Sequence, residues 1–339
     1  MPNKKSVADL SALSEQQLLD LRLCELPLQI QGTWLEACVR QLYAELDRRE
    51  IPFKPPCYLA DEWLTPDKEP VVGIPFYLAH PALMKLERKM MLDVEGGTRP
   101  WCMKLLRHET GHALNYAYRF YRRRKWQKIF GRFSADYGDT YRYRPYSKAY
   151  VRHLEDYYAQ YHPDEDFAET FAVWIASDSQ WRRKYQGWKA LEKLKYVEEL
   201  MREIQGREPP LSRGKRYWDI RAMRITLKNH YKKKRRDHAE NFPDFHDTNL
   251  KRIFTTQKNE LTAVELLKKN RRMLVQSVST WTGEKKYMVN KLMETIQSRC
   301  RYLRLYVPED EPVSLAKVSV YLTTLAMNYL HTGRFGRER

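Results

Sequence analysis

The residues best equipped for chemistry lie in "KLLRHETGHALNYAY", residues 104–118. His108 and His112 stand four apart, with Glu109 directly after the first. On an α-helix, positions i and i+4 are neighbours on one face, with Cβ atoms about 5–6 Å apart. Two imidazoles placed that way can both reach one Zn2+ at about 2.0–2.1 Å. Glu109 lies one residue round the helix, where it flanks a metal without binding it and can take a proton from a water held there. The same spacing also arises by chance in unrelated helices, so a metal centre requires a third protein ligand elsewhere in the chain.

The elements that must position these residues are legible nearby. Trp101, Leu105, His108, His112 and Asn115 follow the three/four spacing of one inward helix face. Gly96-Gly97-Thr98-Arg99-Pro100 supplies a break, a cap at Thr98 and a proline near the first turn. Gly111 costs roughly 1 kcal/mol of helix propensity relative to alanine, and lets something pack close to the metal. Downstream, "YHPDEDFAETFAVWIA", residues 161–176, reads as a second helix: Pro163 at a first helical position, acids in the first turn, then an apolar run. Glu165 and Glu169 are i and i+4 on it, so both carboxylates face one way. One suits the metal, and the other suits the acceptor that fixes a ligating imidazole's tautomer. The plainer reading of these acids is a helix N-terminus, whose dipole favours negative charge. Ala168, Ala172 and Ala176 give this helix a small-residue face able to approach the first closely.

With His108-Glu109-x-x-His112 followed by Glu165-x-x-x-Glu169 inside "EDFAETFA", the chain resembles the gluzincin metallopeptidases. It is most similar to a bacterial group of zinc-binding metallopeptidases and to the catalytic domain of lethal-factor-type toxins, over residues 70–180. The resemblance implies a zincin-like catalytic domain holding one Zn2+ per chain through His108, His112 and Glu165. It implies Glu109 as general base, and Glu169 as hydrogen-bond partner of a zinc-bound imidazole. The lethal-factor-like pattern also carries a tyrosine seven residues before the third ligand, which here is Tyr158.

Composition bounds the remainder. A chain of 339 residues, 42% hydrophobic, can bury a large core, and one to three domains are plausible. The first twenty residues turn polar after their lysines and offer no apolar signal region, and no stretch approaches 18 apolar residues. Cys24, Cys38, Cys57, Cys102 and Cys300 are scattered and form no C-x-x-C pair. They read as reduced thiols, with Cys102 a core residue, and a cytoplasmic location is expected. Residues 1–50 read as a helical N-terminal segment and 51–208 as the catalytic domain. Beyond Gly206 and Pro209-Pro210, residues 209–339 read as a basic, helical C-terminal domain or extension. The expected class is α+β, mostly α, with a small sheet. "VVGIPFYLAHP" is its strand, and Pro75 confines that strand to an edge or interrupts it. An exposed edge there is where an extended peptide could add by β-pairing.

The segment between the motifs carries Tyr137, Tyr141, Tyr143, Tyr146, Tyr150, Tyr157, Tyr158 and Tyr161. A phenol suits oxyanion stabilisation, but most of eight tyrosines must be packing residues. His153 and His162 read as hydrogen-bonding or surface residues. The net charge of +18, with clusters at 121–125 and 232–236, could serve phosphate backbones or favour an acidic peptide through the summed field, while the commonest use of such runs is a solvated helix face. No zinc-finger spacing or aromatic RNA-binding strand accompanies it, so a nucleic-acid partner is not expected. The leading expectation is a zinc metallopeptidase acting on a peptide or protein. Against it stands a basic binding scaffold, nucleic-acid-associated, with a structural or vestigial zinc site. A small-molecule amidase shares every feature of the first.

Overall fold

A computed structural model describes residues 10–91, 93–136, 144, 147–177, 179–237, 244–284, 286–308 and 310–332. These residues are mostly helical with a two-stranded parallel sheet, an α+β arrangement. No helix among them is long and apolar enough to cross a membrane. The chain divides into two compact units, residues 1–233 and 234–339.

In chain order the first unit carries α1 (Glu15–Asp20), α2 (Trp34–Asp47), β1 (Cys57–Ala60), β2 (Val72–Pro75), α3 (Pro81–Met91), α4 (Arg99–Ala117) and α5 (Arg124–Phe130). It continues with α6 (Pro163–Ile175), α7 (Trp181–Lys184), α8 (Ala190–Glu203) and the first part of α9 (Leu227–Asp237). The first fifty residues are not a separate segment. Leu35, Cys38, Leu42 and Leu46 of α2 are fully buried in one core with Leu106, Leu114 and Phe167. A buried ion pair reinforces this packing: Arg107 of α4 grips Glu45 of α2 through two hydrogen bonds of 2.8 and 2.7 Å. The break at Pro209-Pro210 is likewise not a boundary. The chain beyond it returns to the first unit, where Leu23 N–H donates to Ile225 and Cys24 N–H to Met223. Ile220, Leu227 and Tyr231 then enter the same core. The boundary therefore falls inside α9, where no Gly or Pro marks it.

β1 and β2 pair in parallel with Cys57 opposite Val72 and Ala60 opposite Pro75. The strand ends at Pro75, which has no N–H to continue a ladder. The exposed edge expected of this strand is absent. All four residues of β2 are buried, and on its other side Gly73 exchanges hydrogen bonds of 2.8 and 3.4 Å with Leu64. A Cβ at Gly73 would stand 2.9 Å from the Ala60 Cβ on β1 and 2.5 Å from the end of the Leu64 side chain, so a larger residue would crowd both neighbours of the strand.

The second unit carries α10 (Asp247–Ile253), α11 (Ala263–Lys269), α12 (Arg271–Thr282), α13 (Lys286–Tyr302) and α14 (Glu311–Thr332). Its own core holds Leu266, Leu274, Met293 and Leu322. Helical packing in this region was expected, and the apolar residues at three/four spacing are those that go inside.

Candidate metal centre

Two helices build the centre. α4 begins at Arg99 with Pro100 in its first turn; Thr98 occupies the cap position, but its hydroxyl makes no capping bond. From Cys102 on, nearly every residue of α4 is buried, because the helix runs through the core and not along it. α6 begins at Pro163 under a histidine cap: the Nδ1 of His162 accepts from the Asp164 N–H at 3.1 Å, and its Nε2 bonds the Ala135 carbonyl at 2.9 Å. The two helices meet closely because Gly111 has no side chain. A Cβ at that position would lie 2.7 Å from the Ala168 Cα and 3.1 Å from its carbonyl oxygen.

This approach brings three donor atoms together. His108 Nε2 and His112 Nε2 are 3.1 Å apart. Glu165 Oε2 lies 3.1 Å from the first and 3.2 Å from the second. Bonds of about 2.0–2.1 Å at near-tetrahedral angles separate their donors by roughly 3.1–3.4 Å. The triangle therefore has the size of a tetrahedral face round a zinc-sized ion, and the three residues form a buried group that could hold a metal.

The protons agree with this. His108 Nδ1 meets Glu169 Oε1 at 2.9 Å, and His112 Nδ1 meets Asp164 Oδ2 at 2.9 Å. An imidazole facing a carboxylate carries its proton on that side, so both Nε2 atoms present lone pairs to the carboxylate of Glu165. Three acceptors facing one point repel one another unless a cation stands between them. The electrostatics carry the same sign. Burial opposes charging His108, yet its bonds to Glu165 and Glu169 push it up to about 9. For His112 burial is likewise overcome, by Asp164 and Glu165, and the imidazole is raised well above its ordinary range. Burial would raise Glu165, but the two imidazoles hold it far below the usual carboxylate range. Both directions mark a centre that favours positive charge.

Glu109, 7% exposed, stands beside the triangle and contributes no atom to it. The Thr65 hydroxyl donates to its carbonyl at 3.0 Å. Burial raises its carboxyl above the ordinary value, against the pull of His108 and His112. A carboxylate raised toward neutrality is a better proton acceptor at neutral pH. The Tyr158 ring lies 5.7 Å from the His108 ring and stacks on Tyr161. Burial first, then Glu165 and Glu109, raise its phenol, so it remains a donor.

Every expected site residue within the described chain is thus gathered here: His108, His112, Glu165, Glu169, Glu109 and Tyr158. Of the other tyrosines, Tyr150 packs under the Lys193 ammonium at 4.1 Å, and Tyr157 meets Arg152. Tyr137, Tyr141, Tyr143 and Tyr146 lie outside the described residues. His153 bonds the Lys104 carbonyl at 3.0 Å, and His162 caps α6, so both serve hydrogen bonding.

Asp164 is the site residue that the sequence reading passed over. It receives Asn115 Nδ2 at 2.6 Å, the Tyr116 hydroxyl at 2.5 Å and His112, all from α4. Its signal was present, since His112, Asn115 and Tyr116 share the face that α6 must meet. Read alone, an acid in a first turn is explained by the helix dipole. Asp166, its neighbour but one, is held instead by Lys193. No family model, curated protein or solved structure matches this chain.

Proposed function

We propose that this chain is a zinc-dependent metallopeptidase with a zincin-like catalytic unit of the gluzincin kind. The observation that carries the reading is a donor triangle sized for zinc with a buried carboxylate, Glu109, beside it and outside it. A purely structural metal site has no use for that carboxylate. Zinc, when bound, supplies a Lewis acid that polarises the substrate carbonyl and makes a water acidic.

The chain's own residues do the rest. His108, His112 and Glu165 hold the ion, and Glu169 and Asp164 fix the imidazole tautomers that make this possible. Glu109 takes a proton from the attacking water as its oxygen bonds the carbonyl carbon. It passes that proton to the amine as the C–N bond breaks. The Tyr158 phenol donates to the carbonyl oxygen as charge develops there. The net charge of +18 favours an acidic peptide. Five unpaired thiols agree with a cytoplasmic setting.

The test is Glu109→Gln, which preserves volume and polarity but cannot accept the proton. The variant should keep its zinc, and hydrolysis of a peptide found in a broad library that includes acidic sequences should fall by about 10²–10⁴-fold. Equal cleavage by both proteins excludes the mechanism. A zinc-loaded wild type that cleaves nothing favours the binding scaffold.

A further inference from the structure

Glu169 has two oxygens, and only one faces the metal centre. Oε1 takes the His108 Nδ1 proton at 2.9 Å, while Oε2 takes the backbone N–H of Leu154 at 2.9 Å. Leu154 caps the 3-10 helix Glu155–Gln160, the element that carries Tyr158. The same stretch is clasped to α4 one turn before His108: His153 Nε2 bonds the Lys104 carbonyl, and Lys104 Nζ bonds the His153 carbonyl at 3.3 Å. One carboxylate, 1% exposed, therefore fixes both an imidazole of the donor triangle and the start of the tyrosine segment.

Resting on the proposed peptidase reading, we infer that the Leu154 N–H and Glu169 form a positioning link, which sets Tyr158 in register with the metal centre. The argument is geometric. Tyr158 lies four residues beyond Leu154 in a helix of six residues, too short to hold its own place. The N–H at its cap is bonded to a buried group that cannot move without turning the His108 ring. A shift of the centre is thereby carried to the phenol, and a loosened segment leaves the metal ligands intact while misplacing the donor. Misplacement of about 1 Å is enough to cost about 10²-fold in rate.

A backbone ester separates the two bonds. Replacing Leu154 by its α-hydroxy acid through nonsense suppression turns the N–H into an ester oxygen and adds no atom toward Glu169, which stays bonded to His108; proline would not serve, since its Cδ would stand against Glu169 Oε2, 2.9 Å from the nitrogen. Leu154→Ala removes the side chain and keeps the N–H. In the full chain loaded with zinc, amide hydrogen exchange across residues 155–161 should speed by at least about tenfold in the ester protein, and remain as in wild type in Leu154→Ala. Zinc stoichiometry should be unchanged in both. On a peptide that the wild type cleaves, the ester should lower kcat with KM unchanged, and Tyr158→Phe added to it should cost nothing more. Glu169→Gln, which has one acceptor for two donors, should speed the same exchange. Unchanged exchange in the ester protein and in Glu169→Gln overturns the link whether or not the chain is a peptidase. Faster exchange in a chain that cleaves nothing leaves the link standing and removes the peptidase reading.

Discussion

Gly111→Ala sets two effects of known size against each other. In an isolated helix the change stabilises by roughly 1 kcal/mol. In this protein the new Cβ would lie 2.7 Å from the Ala168 Cα, where ordinary contacts begin at 3.4 Å, a shortfall of about 0.7 Å. The atoms it meets are backbone, so no rotamer change relieves the contact and the helices α4 and α6 must part. Overpacking of this kind costs about 1–3 kcal/mol, which matches or exceeds the helix gain. A net loss of up to about 2 kcal/mol corresponds to up to about 8 °C in Tm for a unit of this size. The larger consequence lies at the metal. Gly111 precedes His112, and Ala168 lies three residues beyond Glu165, so the separation passes into donor distances of 3.1 and 3.2 Å. Metal sites tolerate about 0.2 Å. Zinc affinity should fall on the order of 10- to 100-fold, as when an outer partner of a ligand is lost. Thermal unfolding of the metal-free protein and competition with a chromophoric chelator measure the two losses separately. Ala168→Gly should not rescue either, since the contact is with backbone. A Gly111→Ala protein with raised Tm and unaltered zinc affinity would refute the close approach of the helices.

Other outcomes follow from the same geometry. Elemental analysis should find one zinc per chain and none in His112→Ala; stoichiometric zinc in Glu165→Ala would show that the third ligand is another residue. Asp164→Asn should weaken zinc binding by about 10- to 100-fold without removing a ligand, and unchanged affinity would deny Asp164 its role beside His112. In the second unit, His246 is 4% exposed and bonds the Tyr321 hydroxyl at 2.8 Å, and burial lowers its pKa to about 4. The unfolded chain therefore binds more protons between about pH 6.5 and 4, so stability present above this window is lost as pH falls through it, by up to about 3 kcal/mol. His246→Gln should flatten that loss in denaturant titrations across pH 4–7; an unchanged slope would assign the acid sensitivity to another group.

Much of the centre was legible because helices write their faces into local spacing. His108 and His112 at i and i+4, Glu165 and Glu169 likewise, Gly111 and the alanines of α6 each mark one face, and the structure joins those faces. What was not legible depends on partners distant in sequence. Asp164 is identified by the donors it meets on α4. Glu45 and Arg107 look like surface residues until α2 packs on α4. β2 looked like an edge because Leu64, which bridges it, lies in an irregular stretch. The boundary within α9 escaped for the opposite reason: Pro209-Pro210 is a strong local break, but the hydrogen bonds returning from Met223 and Ile225 keep the next stretch in the first unit.

The burial of the donors has a kinetic consequence. His108, His112 and Glu165 are 3%, 6% and 6% exposed, so a chelator can meet an ion held among them only from the side a substrate would use, and cannot displace the three ligands while α4 and α6 stay packed. Release must wait for the protein to open, an event whose frequency belongs to the protein and not to the reagent. The rate of stripping should rise with chelator concentration only at first and then level off. The plateau is the rate at which α4 and α6 separate, and it makes metal exchange a clock for the breathing of the helix pair.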